Sequence, residues 1–288
     1  MKAAERNALI ALPILVLVGA LFAMAGSDGG SDVAGTPLFA LLVALAFAIQ
    51  WLAFVPAFLL QTEKFFDLTG SLTYVSLATI GILYTRLADV RAILLWAMVT
   101  AWALRLGTFL FRRIRKAGKD ERFNDIKPSF LRFLNVWTVQ ALWVTFTAGA
   151  ALAAITSGAR KPLDPIALLG LLIWALGFGI EITADAQKTR FTADPANKGR
   201  FIDTGLWKRS RHPNYFGEIV LWVGVALVAL PVLQGWQLVT LLSPFFVALL
   251  LTRVSGIPLL EKRADAKWGG EPGYEAYKRD TPVLIPKI

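Results

Sequence analysis

Long apolar stretches separated by short polar loops make up most of this chain. Several stretches reach the roughly 20 residues that a helix needs to cross about 30 Å of hydrocarbon. The third and the last are shorter, which predicts spans that are tilted, kinked or partly re-entrant. The predicted spans are 8–26, 37–60, 71–85, 92–111, 133–156, 165–184, 215–234 and 237–252. The pattern therefore predicts an all-α fold, a polytopic membrane helix bundle with about 7–8 transmembrane helices.

Composition agrees with this assignment and excludes an ordinary soluble enzyme. The chain of 288 residues is 56% hydrophobic and only 17% charged, and its mean hydropathy is +0.57. Soluble domains are about 25% charged. Because no polar stretch is long enough for a soluble domain, we predict a single membrane domain over 1–288. Residues 1–90 form its variable N-terminal helices, and 91–288 hold nearly all of the unusual polar positions.

The net charge of +10 is concentrated in a few loops. Lysine and arginine crowd 112–127 and 188–211, whereas 27–36 and 231–236 contain neither. The positive-inside rule then places both termini and the strongly basic loops in the cytoplasm, with the basic pair at 160–161 as an exception. One interpretation of the basic loops is topology together with contact to anionic membrane lipid. No nucleic-acid partner is expected, because no recognisable nucleic-acid-binding module accompanies the charge.

An unusual polar motif, Arg211–Glu218, contains the only histidine and runs directly into an apolar span. Pro213 suits the first turn of a helix, where its missing N–H has no partner to lose. Asn214 and Glu218 then share one face of that helix. The arginines near His212 oppose its protonation, which favours a hydrogen-bonding role over that of a catalytic base. With one histidine and no cysteine, no metal site is expected.

A second polar cluster ends the sixth span. Glu181, Asp185 and Lys188 share a helix face, and acidic groups near membrane depth normally face the bundle interior or a wet cavity. They form either an internal ionic clamp between helices or a ligand site. Arg190 and Arg200 follow, and arginines bind phosphate oxygens in bidentate fashion. The cluster predicts a polyanionic ligand such as a nucleotide, held without a Rossmann or P-loop motif.

Several motifs, in this order and spacing, resemble those of the steroid 5-alpha-reductase superfamily. The similarity is greatest to the bacterial branch of that superfamily and covers about residues 91–288. The motifs are Glu181-x-x-x-Asp185, Gly205-Leu206-Trp207, the segment 210–218, the segment 255–262 and the segment 274–286.

This resemblance implies an integral-membrane reductase that binds NADPH in cytosolic loops and at the cytosolic ends of the later helices. Its substrate would be a lipophilic small molecule with a carbon–carbon double bond conjugated to a carbonyl, as in a 3-oxo-4-ene steroid. It further implies a protein of the bacterial inner membrane, with the cofactor site facing the cytoplasm. We expect the protein to act as a monomer. The implied cofactor-binding residues are Arg105, Arg122, Glu181, Asp185, Lys188, Arg190, Arg200, Arg211, His212, Asn214, Tyr215, Glu218 and Arg253.

One of these positions departs from the family pattern, and one phosphate contact has two candidate residues. Glu181 stands where the family has an asparagine, and a difference in loop length leaves Arg190 and Lys188 as alternatives for one phosphate contact. The proton-donating side is also open, because the chain has no Gln-Glu dipeptide and Trp102 stands at an aligned tyrosine position. The catalytic candidates are Gln61, Glu63, Tyr74 and Glu218. A solvated loop is the alternative interpretation of 61–67.

Two other functions compete with the reductase. The first is an S-adenosylmethionine-dependent membrane methyltransferase of the isoprenylcysteine or phospholipid type, since those proteins share the Arg-His-Pro-x-Tyr motif. The second is a lipid-binding or transport protein. A sulfonium cofactor has no phosphates and does not need so many arginines, and a lipid carrier leaves the phosphate-type cluster unexplained. The sequence therefore favours the reductase.

Overall fold

A computed structural model describes residues 3–85 and 88–287. It is 78% helical, with eight helical segments in the described ranges that are long and apolar enough to cross a membrane. This confirms the predicted all-α, polytopic membrane fold. The α-helices are α1 (Ala3–Gly26), α2 (Leu38–Leu59), α3 (Phe66–Tyr84), α4 (Val90–Ala117), α5 (Phe130–Thr156), α6 (Pro165–Ala193), α7 (Pro213–Ala229), α8 (Ser243–Leu249), α9 (Ile257–Trp268) and α10 (Pro272–Asp280). A two-stranded hairpin, β1 (Asp32–Val33) with β2 (Thr36–Pro37), connects α1 to α2.

The chain divides into two compact units, and the first comprises Met1–Ala167 and Ala226–Ser243. Its central helix is α5, which packs against α1, α2, α3 and α4. The run from Ala148 to Ala154, in which every residue except Leu152 is small, is buried throughout. Small side chains let membrane helices approach closely, because lipid provides no hydrophobic drive for their association. The composition of α5 thus explains its place at the centre of this unit.

A buried arginine fixes one end of the first unit. The Arg91 side chain is 1% exposed and donates to the backbone carbonyls of Val228 and Pro162, each at 2.7 Å. It also pairs with Asp164 at 3.1 Å. A buried guanidinium is stable only when its charge and its donors are satisfied. These bonds therefore hold the loop before α6 to the end of α7.

The second unit comprises Leu168–Val225 and Pro244–Ile288. The predicted eighth span is interrupted, as its short length suggested: a 3-10 segment, Gly235–Leu242, precedes α8, and a π-helical turn, Leu250–Val254, follows it. The helix then breaks before α9, because Pro258 has no backbone N–H to donate to the preceding turn. Past this break the chain turns strongly polar, so hydropathy alone does not reveal α9.

Candidate functional site

Glycines allow α6 and α7 to run antiparallel with their backbones in contact. A Cβ built on Gly217 would lie 2.6 Å from the carbonyl oxygen of Gly177, and one on Gly224 would lie 2.5 Å from that of Gly170. Real Cβ atoms essentially never come so close, so alanine does not fit at Gly217 or Gly224 without movement of the helices. We call Gly170, Gly177, Gly217 and Gly224 the glycine seam. It sets how closely the polar residues of the two helices approach.

The seam brings the acidic face of α6 beside the first turn of α7. Helix α7 begins at Pro213, as the sequence predicts. Glu181 is 2% exposed and Asp185 is 6% exposed. The side-chain amide of Asn214 donates to Asp185 Oδ1 at 3.2 Å, and the half-buried Glu218 follows one turn later on α7. Two motifs that are distant in the sequence thus form one buried polar site.

A cationic cavity of about 280 Å³ lies in the same unit. Its walls include the end of α6, the loop that follows α6, the start of the Arg211–Glu218 motif, and α9. Five cations and one carboxylate line it, together with aromatic rings such as Trp207. The charged lining residues are Lys188, Arg200, Arg211, Arg263, Lys267 and Glu261. This charge balance suits a polyanion.

The candidate cations occupy different places relative to this cavity. Lys188 lines it and holds its Nζ 4.5 Å above the Trp207 ring centroid. Arg200 also lines it. Arg190 and Arg253 are exposed and are absent from its walls. Of the two alternatives that the sequence left open for one phosphate contact, Lys188 is the one that the structure places at the cavity.

Glu261 on α9 links the first two residues of the Arg211–Glu218 motif. Its Oε1 lies 2.8 Å from His212 Nε2, and its Oε2 lies 2.9 Å from Arg211 Nη1. The His212 ring also stacks on Tyr215, with ring centroids 5.7 Å apart. Burial lowers the pKa of His212, the bond to Glu261 offsets part of this effect, and the nearby cations lower the pKa further. His212 is therefore neutral at pH 7, mainly because it is buried.

Apart from Arg211 Nη1, which is ion-paired with Glu261, three buried polar atoms of one short segment have no hydrogen-bond partner among the described residues. They are Arg211 Nε, His212 Nδ1 and Asn214 Oδ1. Buried polar groups are almost always hydrogen-bonded, so each exception requires an explanation. A donor and two potential acceptors within four residues, beside a cationic cavity, fit a polar ligand that carries both phosphates and hydroxyl groups.

The C-terminal segment packs against the same motif. The backbone N–H of Arg211 donates to the carbonyl of Pro282 at 2.9 Å. The Tyr277 hydroxyl donates to the carbonyl of Trp207 at 2.7 Å, and burial raises the pKa of this tyrosine above its usual value. These bonds fix the backbone that presents Trp207 and Arg211 to the cavity.

Glu63, in the first unit, is a buried carboxylate with two bonded partners. It is 4% exposed, accepts from the backbone N–H of Asp120 at 2.8 Å and forms a short ion pair with Lys127. Burial alone would raise the pKa of Glu63, but the bonds from Lys127 and Asp120 outweigh it and lower this pKa. The carboxylate therefore ties the loop after α4 to the turn before α3.

The remaining early candidates have different surroundings. Gln61 is exposed, adopts a left-handed backbone (φ 49°) and donates to the nearby Phe58 carbonyl. Tyr74 is 6% exposed and packs edge-on against Trp102, with ring centroids 5.1 Å apart. Arg105 lies 5.4 Å from the centroid of the Phe109 ring. All of these residues belong to the first unit.

Arg122 pairs with a neighbouring carboxylate in the first unit. Its guanidinium bonds both carboxylate oxygens of Asp120. Burial raises the pKa of Asp120, but the hydrogen bonds and charge of Arg122 outweigh it, and this pKa lies below its usual value. The pair is two residues apart in sequence and orders the short 3-10 turn Glu121–Phe123.

Sequence reasoning missed three charged residues of the cavity, namely Glu261, Arg263 and Lys267. All three lie on α9, in a segment that hydropathy assigns to a polar tail. Arg263 and Lys267 are four residues apart and so share one helix face. A search for helical spacing among the charges of this tail would have found them.

Comparison with known proteins gives one family and several partial relatives. A family model described as "Protein of unknown function (DUF1295)" matches residues 53–281, well over half of the chain. This family includes steroid 5-alpha-reductase-like proteins. No solved structure matches.

Three curated proteins match parts of the chain. The 3-oxo-5-alpha-steroid 4-dehydrogenase 1 of Bos taurus is 32% identical over 43% of this chain and 42% of its own length. The probable O-methyltransferase ustE of Ustilaginoidea virens is 28% identical over 32% of each chain. An uncharacterized protein of Schizosaccharomyces pombe is 23% identical over 70% of this chain and 65% of its own. The chain thus spans less than two thirds of the length of each of these relatives.

Proposed function

We propose, from the premise that the chain belongs to the DUF1295 family, that it is a membrane-embedded NADPH-dependent reductase. Its substrate would be a lipophilic molecule with a carbon–carbon double bond conjugated to a carbonyl, of the 3-oxo-4-ene steroid type. The partial similarity to the bovine steroid dehydrogenase supports a membrane reductase. The proposed cofactor and substrate class depend instead on the residues of the site.

The cationic cavity is the observation that carries the cofactor assignment. Its five cations outnumber its single carboxylate, and arginine and lysine are the side chains that bind phosphate. Its volume of about 280 Å³ lies just below the range of about 300–1,000 Å³ typical of ligand pockets. We therefore assign it to the phosphate-bearing part of NADPH, with Arg200 at the 2′-phosphate.

The polar site between α6 and α7 is assigned to the other part of the cofactor. Asp185 accepts hydrogen bonds there, and Asn214 has a buried oxygen with no partner in the described ranges. Glu181 and Glu218 add further acceptors for hydroxyl groups. When bound, NADPH supplies the hydride that reduces a polarised carbon–carbon double bond.

Among the catalytic candidates, we favour Tyr74 for hydrogen bonding to the substrate carbonyl. Its phenol is a neutral donor in a buried, membrane-spanning helix. Glu63 is already bound to Lys127 and Asp120, and its lowered pKa keeps it ionised, so we assign it a positioning role. Glu218 stays a candidate for the proton, whereas Gln61 is exposed.

The distribution of basic residues among the loops supports a cytoplasmic cofactor site. The cavity residues lie in or beside the basic loop 188–211 and the basic tail, which the positive-inside rule places in the cytoplasm. We accordingly propose an inner-membrane protein of bacterial type that takes NADPH from the cytoplasm and its substrate from membrane lipid. It would act as a monomer.

A second candidate is a methyltransferase that uses S-adenosylmethionine. The partial similarity to a fungal protein named as a probable O-methyltransferase favours it, as does the Arg-His-Pro-Asn-Tyr segment. The five cations of the cavity disfavour it, because S-adenosylmethionine carries a sulfonium and no phosphate. We therefore place the reductase first.

Ligand-dependent stability in detergent tests both candidates. A ligand that binds only the folded state stabilises it by RT ln(1 + [L]/Kd), about 2.7 kcal/mol at 100 times Kd. We expect NADPH to raise the melting temperature more than NADH does, and S-adenosylmethionine to raise it least. Stabilisation by S-adenosylmethionine alone would overturn the reductase assignment.

A matched pair of variants locates the phosphate contact. Arg200→Ala should remove the preference for NADPH over NADH, because Arg200 lines the cavity. Arg209→Ala removes a nearby exposed cation that does not line it, and should keep the preference. Equal behaviour of the two variants would contradict the assignment of Arg200.

A further inference from the structure

The bond between Glu261 and His212 determines which ring nitrogen carries the proton. His212 Nε2 lies 2.8 Å from Glu261 Oε1. A carboxylate only accepts hydrogen bonds, so Nε2 must donate, and a neutral imidazole has a single N–H. The proton is therefore on Nε2, and Nδ1 has a free lone pair. This Nδ1 is buried and has no hydrogen-bond partner in the part of the chain that the structure describes.

We propose that Glu261 is a positioning residue that fixes His212 in the Nε2–H tautomer and so leaves Nδ1 as an acceptor for a hydroxyl or amino group of the bound nucleotide. The inference rests on the proposed function for the identity of the nucleotide. The tautomer itself follows from the Glu261 contact and holds in the protein without ligand.

The acceptor character of Nδ1 excludes the phosphates as its partner. Phosphate oxygens at neutral pH accept hydrogen bonds, and two acceptors facing each other repel. The charged groups that act on His212 are Lys188, Arg211 and Glu261, and burial keeps the ring neutral against the attraction of Glu261. The cations thus receive the phosphates, while His212 selects a donor, which is either a ribose hydroxyl or the amino group of adenine.

The single histidine makes the tautomer directly measurable. In protein labelled with ¹⁵N-histidine, the two ring nitrogens give separate NMR signals whose shifts identify the protonated nitrogen. We expect one Nε2–H tautomer in the wild type without ligand. Glu261→Gln keeps a side-chain oxygen that accepts from Nε2–H and should retain that tautomer, whereas Glu261→Ala should give a mixture of tautomers.

Glu271→Ala is the matched control. Glu271 is an exposed glutamate of the same unit that does not line the cavity, so its removal should leave both nitrogen signals unchanged. An Nδ1–H tautomer in the wild type would overturn the proposal even if Glu261→Ala does not fold. Unchanged signals in a folded Glu261→Ala variant would overturn it as well.

Ligand binding tests the second half of the proposal. Addition of NADPH should shift the Nδ1 signal more than the Nε2 signal, and His212→Ala should raise Kd by about 2- to 10-fold, as for loss of one neutral hydrogen bond. The analogue with hypoxanthine in place of adenine lacks the amino donor. Weaker binding of that analogue in the wild type but not in His212→Ala identifies adenine, and equal binding identifies the ribose.

Failure of this inference is distinguishable from failure of the proposed function. If NADPH does not stabilise the wild type while the Nε2–H tautomer is found, the cofactor assignment fails and the role of Glu261 stands. If NADPH binds without any shift of Nδ1, the acceptor role of His212 is refuted and the reductase assignment stands.

Discussion

Replacing Gly217 by alanine should weaken cofactor binding without altering any cofactor-binding side chain. The new Cβ would lie 2.6 Å from the carbonyl oxygen of Gly177, whereas ordinary contact begins at 3.4 Å. Relief of this clash requires α6 and α7 to separate by about 0.8 Å, since packed helices do not compress. The bond from Asn214 to Asp185, now 3.2 Å, would then lengthen to about 4.0 Å, beyond the hydrogen-bonding range.

Two free energies follow from this displacement. Overpacking of a tight contact lowers stability by about 1–3 kcal/mol. The same displacement should move the Asp185 carboxylate out of hydrogen-bonding range of the bound cofactor. Loss of one such bond to a charged group weakens binding by about 1.5–3 kcal/mol, which raises Kd for NADPH by about 10- to 100-fold. Both quantities are measurable on purified protein in detergent, the first by thermal unfolding and the second by NADPH titration.

Two further glycines provide the controls. A Cβ on Gly179, also on α6, meets nothing within 4 Å, so Gly179→Ala should leave affinity unchanged and can stabilise the helix by up to about 1 kcal/mol. Gly224→Ala strains the same glycine seam two turns further from Asn214. It should lower stability, but it should raise the Kd for NADPH less than Gly217→Ala does. If Gly217→Ala binds NADPH as well as Gly179→Ala does, the seam does not position the site and the reasoning is refuted.

Three other changes test separate contacts by thermal unfolding. Arg91→Ala should lower stability by about 3–5 kcal/mol, because it removes a buried charge that satisfies two backbone carbonyls; an unchanged melting temperature would contradict this. The folded pKa of Glu63 is lowered, so its pairing with Lys127 stabilises the fold fully above the usual glutamate pKa of about 4.3 and is lost as pH falls through the folded value. Glu63→Gln should therefore lose less stability than the wild type as the pH falls from about 5 to about 3, because the loss occurs below the usual glutamate pKa. Tyr277→Phe removes the bond to the Trp207 carbonyl and should lower stability by about 0.5–1.5 kcal/mol.

Most of the fold could be predicted from hydropathy alone. Membrane-spanning helices must be long and apolar because every backbone group has to be bonded within the segment, so their pattern is a direct consequence of the bilayer. The start of α7 at Pro213 was also predictable, since a proline has no N–H to lose in a first turn. The last span was less predictable, because a 3-10 segment before α8 and a π-helical turn after it interrupt one apolar run.

The site was predictable only where its residues repeat along one helix face. Glu181 and Asp185 could be grouped by their spacing, but the bond of Asp185 to Asn214 depends on how closely α6 and α7 pack, which the glycine seam determines. Glu63 shows the converse. This carboxylate in a short loop was a candidate for catalysis. Its partners Lys127 and Asp120 lie about 60 residues away in sequence, in the loop after α4, so no local sequence pattern indicates the contact.

The two halves of the site discriminate different properties of a ligand. A neutral acceptor at His212 suits any nucleoside with a hydroxyl or amino donor, so it serves NADPH and S-adenosylmethionine equally well. The choice between these cofactors therefore depends on charge: two unit charges 4 Å apart interact by about 4 kcal/mol at an effective dielectric constant near 20, favourably for a phosphate and unfavourably for a sulfonium. Neutralising Arg200, Arg263 and Lys267 together should consequently narrow the difference in affinity between the two cofactors, whereas His212→Ala should weaken both by a similar factor. A triple variant that keeps the full preference for NADPH would show that these three cations do not make the selection, which would then lie with Lys188 and Arg211 or outside this cavity.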